Sequence, residues 1–106
     1  MAKHVDSRCR AFQLAIDVLG KPWNALILNV LQGGALRFSE LATAAAGPTD
    51  KVLSTRLKEL EACGLIRRDV ESGPPVRVSY ELTACGRNFG DVASSIERWG
   101  RSLPRR

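Results

Sequence analysis

At Gly64 the hydrophobic period of this chain changes from 3.6 residues to 2, and that change limits the folds open to it. The stretch before it, Thr49 to Gly64, places Val52, Leu53, Leu57 and Leu60 at three- and four-residue spacing, which is one buried helix face. Thr49 can cap the first turn, Asp50 suits the positive end of the helix dipole, and Gly64 sits where a left-handed C-cap belongs. The opposite side carries Lys51, Ser54, Thr55 and Lys58, with two cations, two hydroxyls and no carboxylate. After Gly64, residues 65–70 read as a strand and residues 71–75 as a turn. Val76, Val78, Tyr80 and Leu82 then alternate with Arg77, Ser79 and Glu81 as a half-buried strand. A helix followed at once by a hairpin is the arrangement of a recognition helix and its wing.

The segments upstream supply the rest of that motif. Residues 11–19 predict a helix with Phe12, Ala15, Ile16 and Leu19 on one stripe, broken by Gly20-Lys21-Pro22. Pro22 is placed to open a second helix over 23–31, apolar nearly all round and so expected in the core. Trp23 at its start reads as a core residue rather than part of a ligand cage. Gly33-Gly34 ends that helix. Residues 36–38 predict a short strand, Ser39 a cap, residues 40–46 a short helix and Gly47-Pro48 a turn. Two helices joined by a short glycine-containing turn form a helix-turn-helix. At the far end, Thr83 can cap a last helix over about 84–103, in which Phe89, Val92, Ile96, Trp99 and Leu103 form a seam at three- or four-residue spacing. The expected fold class is mainly α with a small β-hairpin wing, a single winged helix-turn-helix domain over 1–106.

A face of lysines and hydroxyls beside a wing is suited to a DNA major groove, and it can equally be an ordinary solvated helix face. Charge favours the first reading: 16 Lys and Arg against 11 Asp and Glu give +5, which suits a polyanionic partner. The expected DNA contacts are Lys51, Ser54, Thr55 and Lys58, with Thr49 at the helix start and Arg37 and Ser39 at the mouth of the preceding helix. Arg77 near the wing tip completes the set, and at least one of Arg67 and Arg68 should face outward. With one histidine, His4 in a polar tail, no His/Cys/Asp cluster and no glycine-rich phosphate loop after a strand, nothing suggests an enzyme, a metal site or a cofactor. The three cysteines, Cys9, Cys63 and Cys85, are widely spaced and form no CxxC, which is neither a disulfide framework nor a zinc ligand set and fits a reducing cytoplasm. The N-terminus lacks the apolar stretch of a signal peptide, and no apolar run approaches the roughly 20 residues of a membrane span. Cys63, at a helix C-terminus, is expected to be structural. A winged helix that binds protein instead of DNA is the alternative these residues leave open.

In this order and spacing the segments resemble the HxlR-type transcriptional regulators, a branch of the winged helix-turn-helix proteins related to MarR regulators. The resemblance covers about residues 9–103. It rests on Gly20 and Trp23 with Leu26-Ile27-Leu28, on Arg37-Phe38-Ser39-Glu40-Leu41, on residues 53–60 (LSTRLKEL), on Gly64-Leu65-Ile66-Arg67-Arg68, on residues 75–83 (PVRVSYELT), and on Gly86 and Trp99. It implies a homodimer on a near-palindromic double-stranded operator, usually as a repressor. The first and last helices, about 9–19 and 84–103, would form the interface through Phe12, Ile16, Leu19, Phe89, Val92, Ile96, Trp99 and Leu103. It also implies response to an oxidant or other small effector through a cysteine ahead of the first helix, a place Cys9 occupies. Arg8 and Arg10 flank Cys9, and nearby cations favour a thiolate. The family often has proline directly after this cysteine, where this chain has Arg10. A buried, inert thiol is the competing reading of Cys9.

Overall fold

The structure, a computed structural model, describes residues 7–105; His4 lies outside them. Helix α1 spans Ser7–Leu19, α2 Asn24–Val30, α3 Phe38–Ala45 and α4 Asp50–Ala62; β1 is Leu36–Arg37, β2 Ile66–Glu71 and β3 Arg77–Leu82; α5 is Ala84–Arg87 and α6 Phe89–Ser102. A single 3-10 turn, Leu31–Gly33, follows α2. The three strands form one antiparallel sheet in the order β1-β3-β2.

The core is built on α4. Leu53, Leu57 and Leu60 are buried against Ile27, Leu28 and Leu31 of the α2 segment, Leu41 of α3, Ile66 of β2 and Leu82 of β3. Each such side chain removed from water contributes on the order of 1.5–3 kcal/mol, so the three leucines fix both the position and the rotation of α4. Thr49 caps it, its Oγ1 accepting from the Val52 amide at 3.2 Å. Gly64, in the left-handed region at φ 78°, turns the chain into the wing.

Several boundaries differ from those expected. α1 already includes Ser7, the first described residue, so Cys9 lies within the helix instead of ahead of it. Pro22 does not open α2. It sits in the preceding turn, and Trp23, left-handed at φ 75°, is the N-cap position. The Trp23 ring covers the α3–α4 turn so closely that a Cβ on Gly47 would collide with it. This residue is 38% exposed, so it is a cover on the turn and not a core residue. Ser39 is not a cap but the second residue of α3. The cap position is Arg37, whose amide donates to Glu40 Oε1 at 2.8 Å, closing the turn from the carboxylate side. Phe38 belongs to α3 instead of the strand. The last helix is divided at Asn88 into α5 and α6. Gly86 is needed there, because α5 presses onto the start of the wing and a Cβ would overlap the Leu65 carbonyl oxygen.

Gly86→Ala should therefore destabilise the chain by about 3 kcal/mol, as backbone overpacking does. Gly33→Ala, where a Cβ meets nothing within 4 Å, should cost less than about 0.5 kcal/mol. Urea unfolding of the two variants checks the contrast; equal midpoints would contradict the packing of α5 on Leu65.

Candidate nucleic-acid interface

Because Leu53, Leu57 and Leu60 face inward, Lys51, Thr55 and Lys58 are exposed on the other side of α4, with half-buried Ser54 at its edge. No ion pair involves Lys51 or Lys58 among the described residues. The charges on the flank of α4 are committed instead: Glu59 holds Arg56 at 2.5 Å and Lys21 at 3.9 Å, tying the helix to the α1–α2 turn. Thr55 Oγ1 donates to the Lys51 carbonyl at 3.0 Å, which commits its proton within the helix and leaves its oxygen able to accept. The α4 face is thus a row of uncompensated cations and hydroxyls on a rigid helix.

Strand register decides what the wing contributes. Ile66 pairs with Leu82, Arg67 with Glu81, Arg68 with Tyr80 and Glu71 with Arg77; β1 adds Leu36 opposite Tyr80 and Arg37 opposite Ser79. Directly opposed residues share a face. Ile66, Arg68, Leu36, Tyr80 and Leu82 therefore lie on the α4 side, and Arg67, Arg37, Ser79, Glu81, Glu71 and Arg77 on the far side. Arg67 is held by Glu81 and by Asp69 at 3.6 Å. The hydrogen bond and charge between Arg67 and Glu81 keep the Glu81 carboxyl below its ordinary range and raise the Arg67 guanidinium.

Of the expected contacts, Lys51, Ser54, Thr55 and Lys58 come together on one face, with Thr49 at its start. Thr49 is engaged in capping. Ser39 is exposed in the first turn of α3. Arg37 and Arg77 are brought together elsewhere, on the far face of the sheet, where they line one depression with Asp69, Glu71 and Ser79. Arg68 and Tyr80 border the α4 face; of Arg67 and Arg68 the sequence requires only that at least one face outward, and it does not single out Tyr80 as a contact. The only sequence signal for Arg68 is its parity with Ile66, two residues earlier.

The expected interface stripe is largely uncovered. Phe12 is 66%, Trp99 65% and Leu103 45% exposed, Ile16, Val92 and Ile96 are also exposed, and Leu19 and Phe89 are half-buried. Leu14, 69% exposed on another side of α1, was not anticipated. Neither α1 nor α6 contains a buried residue. All three cysteines are exposed, including Cys63, for which a structural role was expected. Among the described residues no group of three His, Cys, Asp or Glu side chains could hold a metal ion, and no single helix is long and apolar enough to cross a membrane.

A helix-turn-helix joined to a three-stranded wing, with a basic face on its second helix, defines a winged helix-turn-helix transcriptional regulator. The family model for the HxlR-like helix-turn-helix matches residues 18–106, and the chain belongs to that family. It is 43% identical over 91 residues to the HTH-type transcriptional regulator YvaP of Bacillus subtilis, covering 86% of this chain and 84% of that one. Its structure is similar to that of the reduced transcriptional regulator YodB of B. subtilis, with a TM-score of 0.80 and 33% identity over 94% of this chain and 95% of the other. YodB has also been solved quinone-bound and diamide-treated. The redox regulator HypR in its oxidised form matches with a TM-score of 0.80 and 29% identity, over 91% and 99% of the two chains. The family and these relatives are transcriptional regulators, not enzymes.

Proposed function

We propose that this chain is a homodimeric repressor that binds a near-palindromic operator in the cytoplasm and releases it on oxidation or electrophile attack. The observation that carries the DNA reading is the α4 face: Lys51 and Lys58 without carboxylate partners beside a wing. In this reading α4 enters the major groove with Lys51, Ser54, Thr55 and Lys58. Ser39 and Thr49, at the starts of α3 and α4, meet phosphates at helix N-termini. Arg37 and Arg77, on the far face of the sheet, reach the flanking backbone, Arg77 from the wing tip.

The uncovered stripes on α1 and α6 support the dimer, since large apolar side chains this exposed along one helix face mark an interface. Two-fold symmetry would set two α4 helices whole helical turns apart, about 10 base pairs each. Cys9, exposed on α1, lies on one of the two helices assigned to that interface. Modifying it would add bulk or a crosslink where small shifts change the spacing of the recognition helices. The quinone-bound and diamide-treated forms of YodB support the same chemistry here.

Affinity for duplex DNA should fall with salt, and Lys58→Glu should weaken binding to every duplex, flattening the log–log salt slope by about 0.9 for each phosphate no longer neutralised. Equal affinity at low and high salt would contradict the electrostatic reading and favour a protein-binding winged helix. Sedimentation at micromolar concentration should give a dimer that Trp99→Glu dissociates; a stable monomer with and without DNA would refute the assembly. Diamide or a quinone should lower duplex affinity in the natural protein and not in Cys9→Ser. An equal loss in both, or none in either, would remove Cys9 as the sensor.

A further inference from the structure

Between α4 and the inner face of the wing runs a cleft of about 360 Å³, lined by Ser54, Leu57, Lys58, Glu61, Arg68 and Tyr80. Leu57 is buried, and Tyr80 packs against the core cluster, so the floor of the cleft rests on the core while its walls are polar. Lys58 on the helix wall and Arg68 on the strand wall supply two cations, and Ser54 and Tyr80 supply hydroxyls. Glu61 is the one carboxylate. Arg68 nevertheless makes no ion pair with it or with any other described residue. Its neighbour in sequence is the opposite case, because Arg67 is held by both Glu81 and Asp69 on the far face. The chain therefore neutralises the arginine that points away from α4 and leaves the one that points toward it uncompensated.

We infer that this cleft is a seat for the sugar–phosphate backbone of one DNA strand, with Arg68 as the wing's phosphate-binding residue and Lys58 as its partner across the cleft. The inference rests on the DNA reading proposed above and adds a residue and a location to it. A guanidinium presents a planar fork of donors that matches a phosphate, and a phosphate between Arg68 and Lys58 is approached by both cations at once. Contacts of this kind set the register of the protein on the duplex without reading its sequence. They would clamp the strand bordering the major groove while the outer row of α4 faces the bases.

The test is the affinity of the full chain for a mixed-sequence duplex across a salt series, in the natural protein, Arg68→Ala, Arg68→Lys and Arg67→Ala. Arg68→Ala is expected to lower affinity about ten-fold and to flatten the salt slope by about 0.9, independent of duplex sequence. Arg68→Lys should recover most of the slope, since the charge is kept. Arg67→Ala should stay within about two-fold of the natural protein. Urea midpoints of the variants show whether a loss is one of folding, and a normal midpoint with weakened affinity assigns it to the cleft. If the natural protein binds and Arg68→Ala binds equally with the same slope, the cleft assignment is overturned and the DNA reading stands. A loss in Arg67→Ala as large as in Arg68→Ala also overturns it. If the natural protein binds no duplex at low salt, both fail together.

Discussion

Three leucines on one side of α4 determine most of what this molecule can present to a partner. Leu53, Leu57 and Leu60 are buried among residues from α2, α3, β2 and β3, so the second helix of the motif cannot roll without opening the core. Their spacing leaves Lys51, Thr55 and Lys58 exposed on the other side, with Ser54 at the edge. The same core holds the wing, because Ile66 and Leu82 are both a strand pair and members of the cluster. The position of Arg68 across from Lys58 follows from that pairing. A basic helix face and its neighbouring strand are thus placed by one set of apolar contacts.

The molecule divides its apolar residues unequally. The core cluster is buried, whereas α1 and α6 leave Phe12, Val92 and Trp99, and Leu103 just after α6, at 45% exposure or more. Burying such residues against a second copy would satisfy the stripe and would join the two helix-turn-helix units through their most exposed helices. Response to a modified cysteine would then be a matter of geometry at that junction, a small displacement at α1 being carried to the spacing of two rigid α4 helices.

Much of the architecture was legible in the sequence because its signals were long and redundant. The period of α4, its threonine cap, the glycine at φ 78° after it and the alternation in β3 all agreed with one another. The features that were not legible depend on single contacts. Two residues of β1 are too few to show a period, yet their pairing with β3 adds the third strand. Trp23 reads as a helix residue, and only the turn that its ring covers explains its left-handed backbone. The run Arg67-Arg68-Asp69 has no alternation to say which side faces α4. That needed the register set by Ile66 and Leu82, and it separated two adjacent arginines into a neutralised one and an uncompensated one. The same register places Arg37 and Arg77 on the far face of the sheet.

The central claim is that the face presented by α4 and the inner side of the wing is where DNA binds. Amide chemical shifts of the labelled chain, followed through titration with a short duplex at low salt, test it most directly. The account predicts that the largest changes fall on residues 49–58 and on Arg68 and Tyr80, with little change along the Leu14–Asp17–Cys63 side of the molecule. Changes concentrated on that side, or spread evenly over the surface, would contradict it.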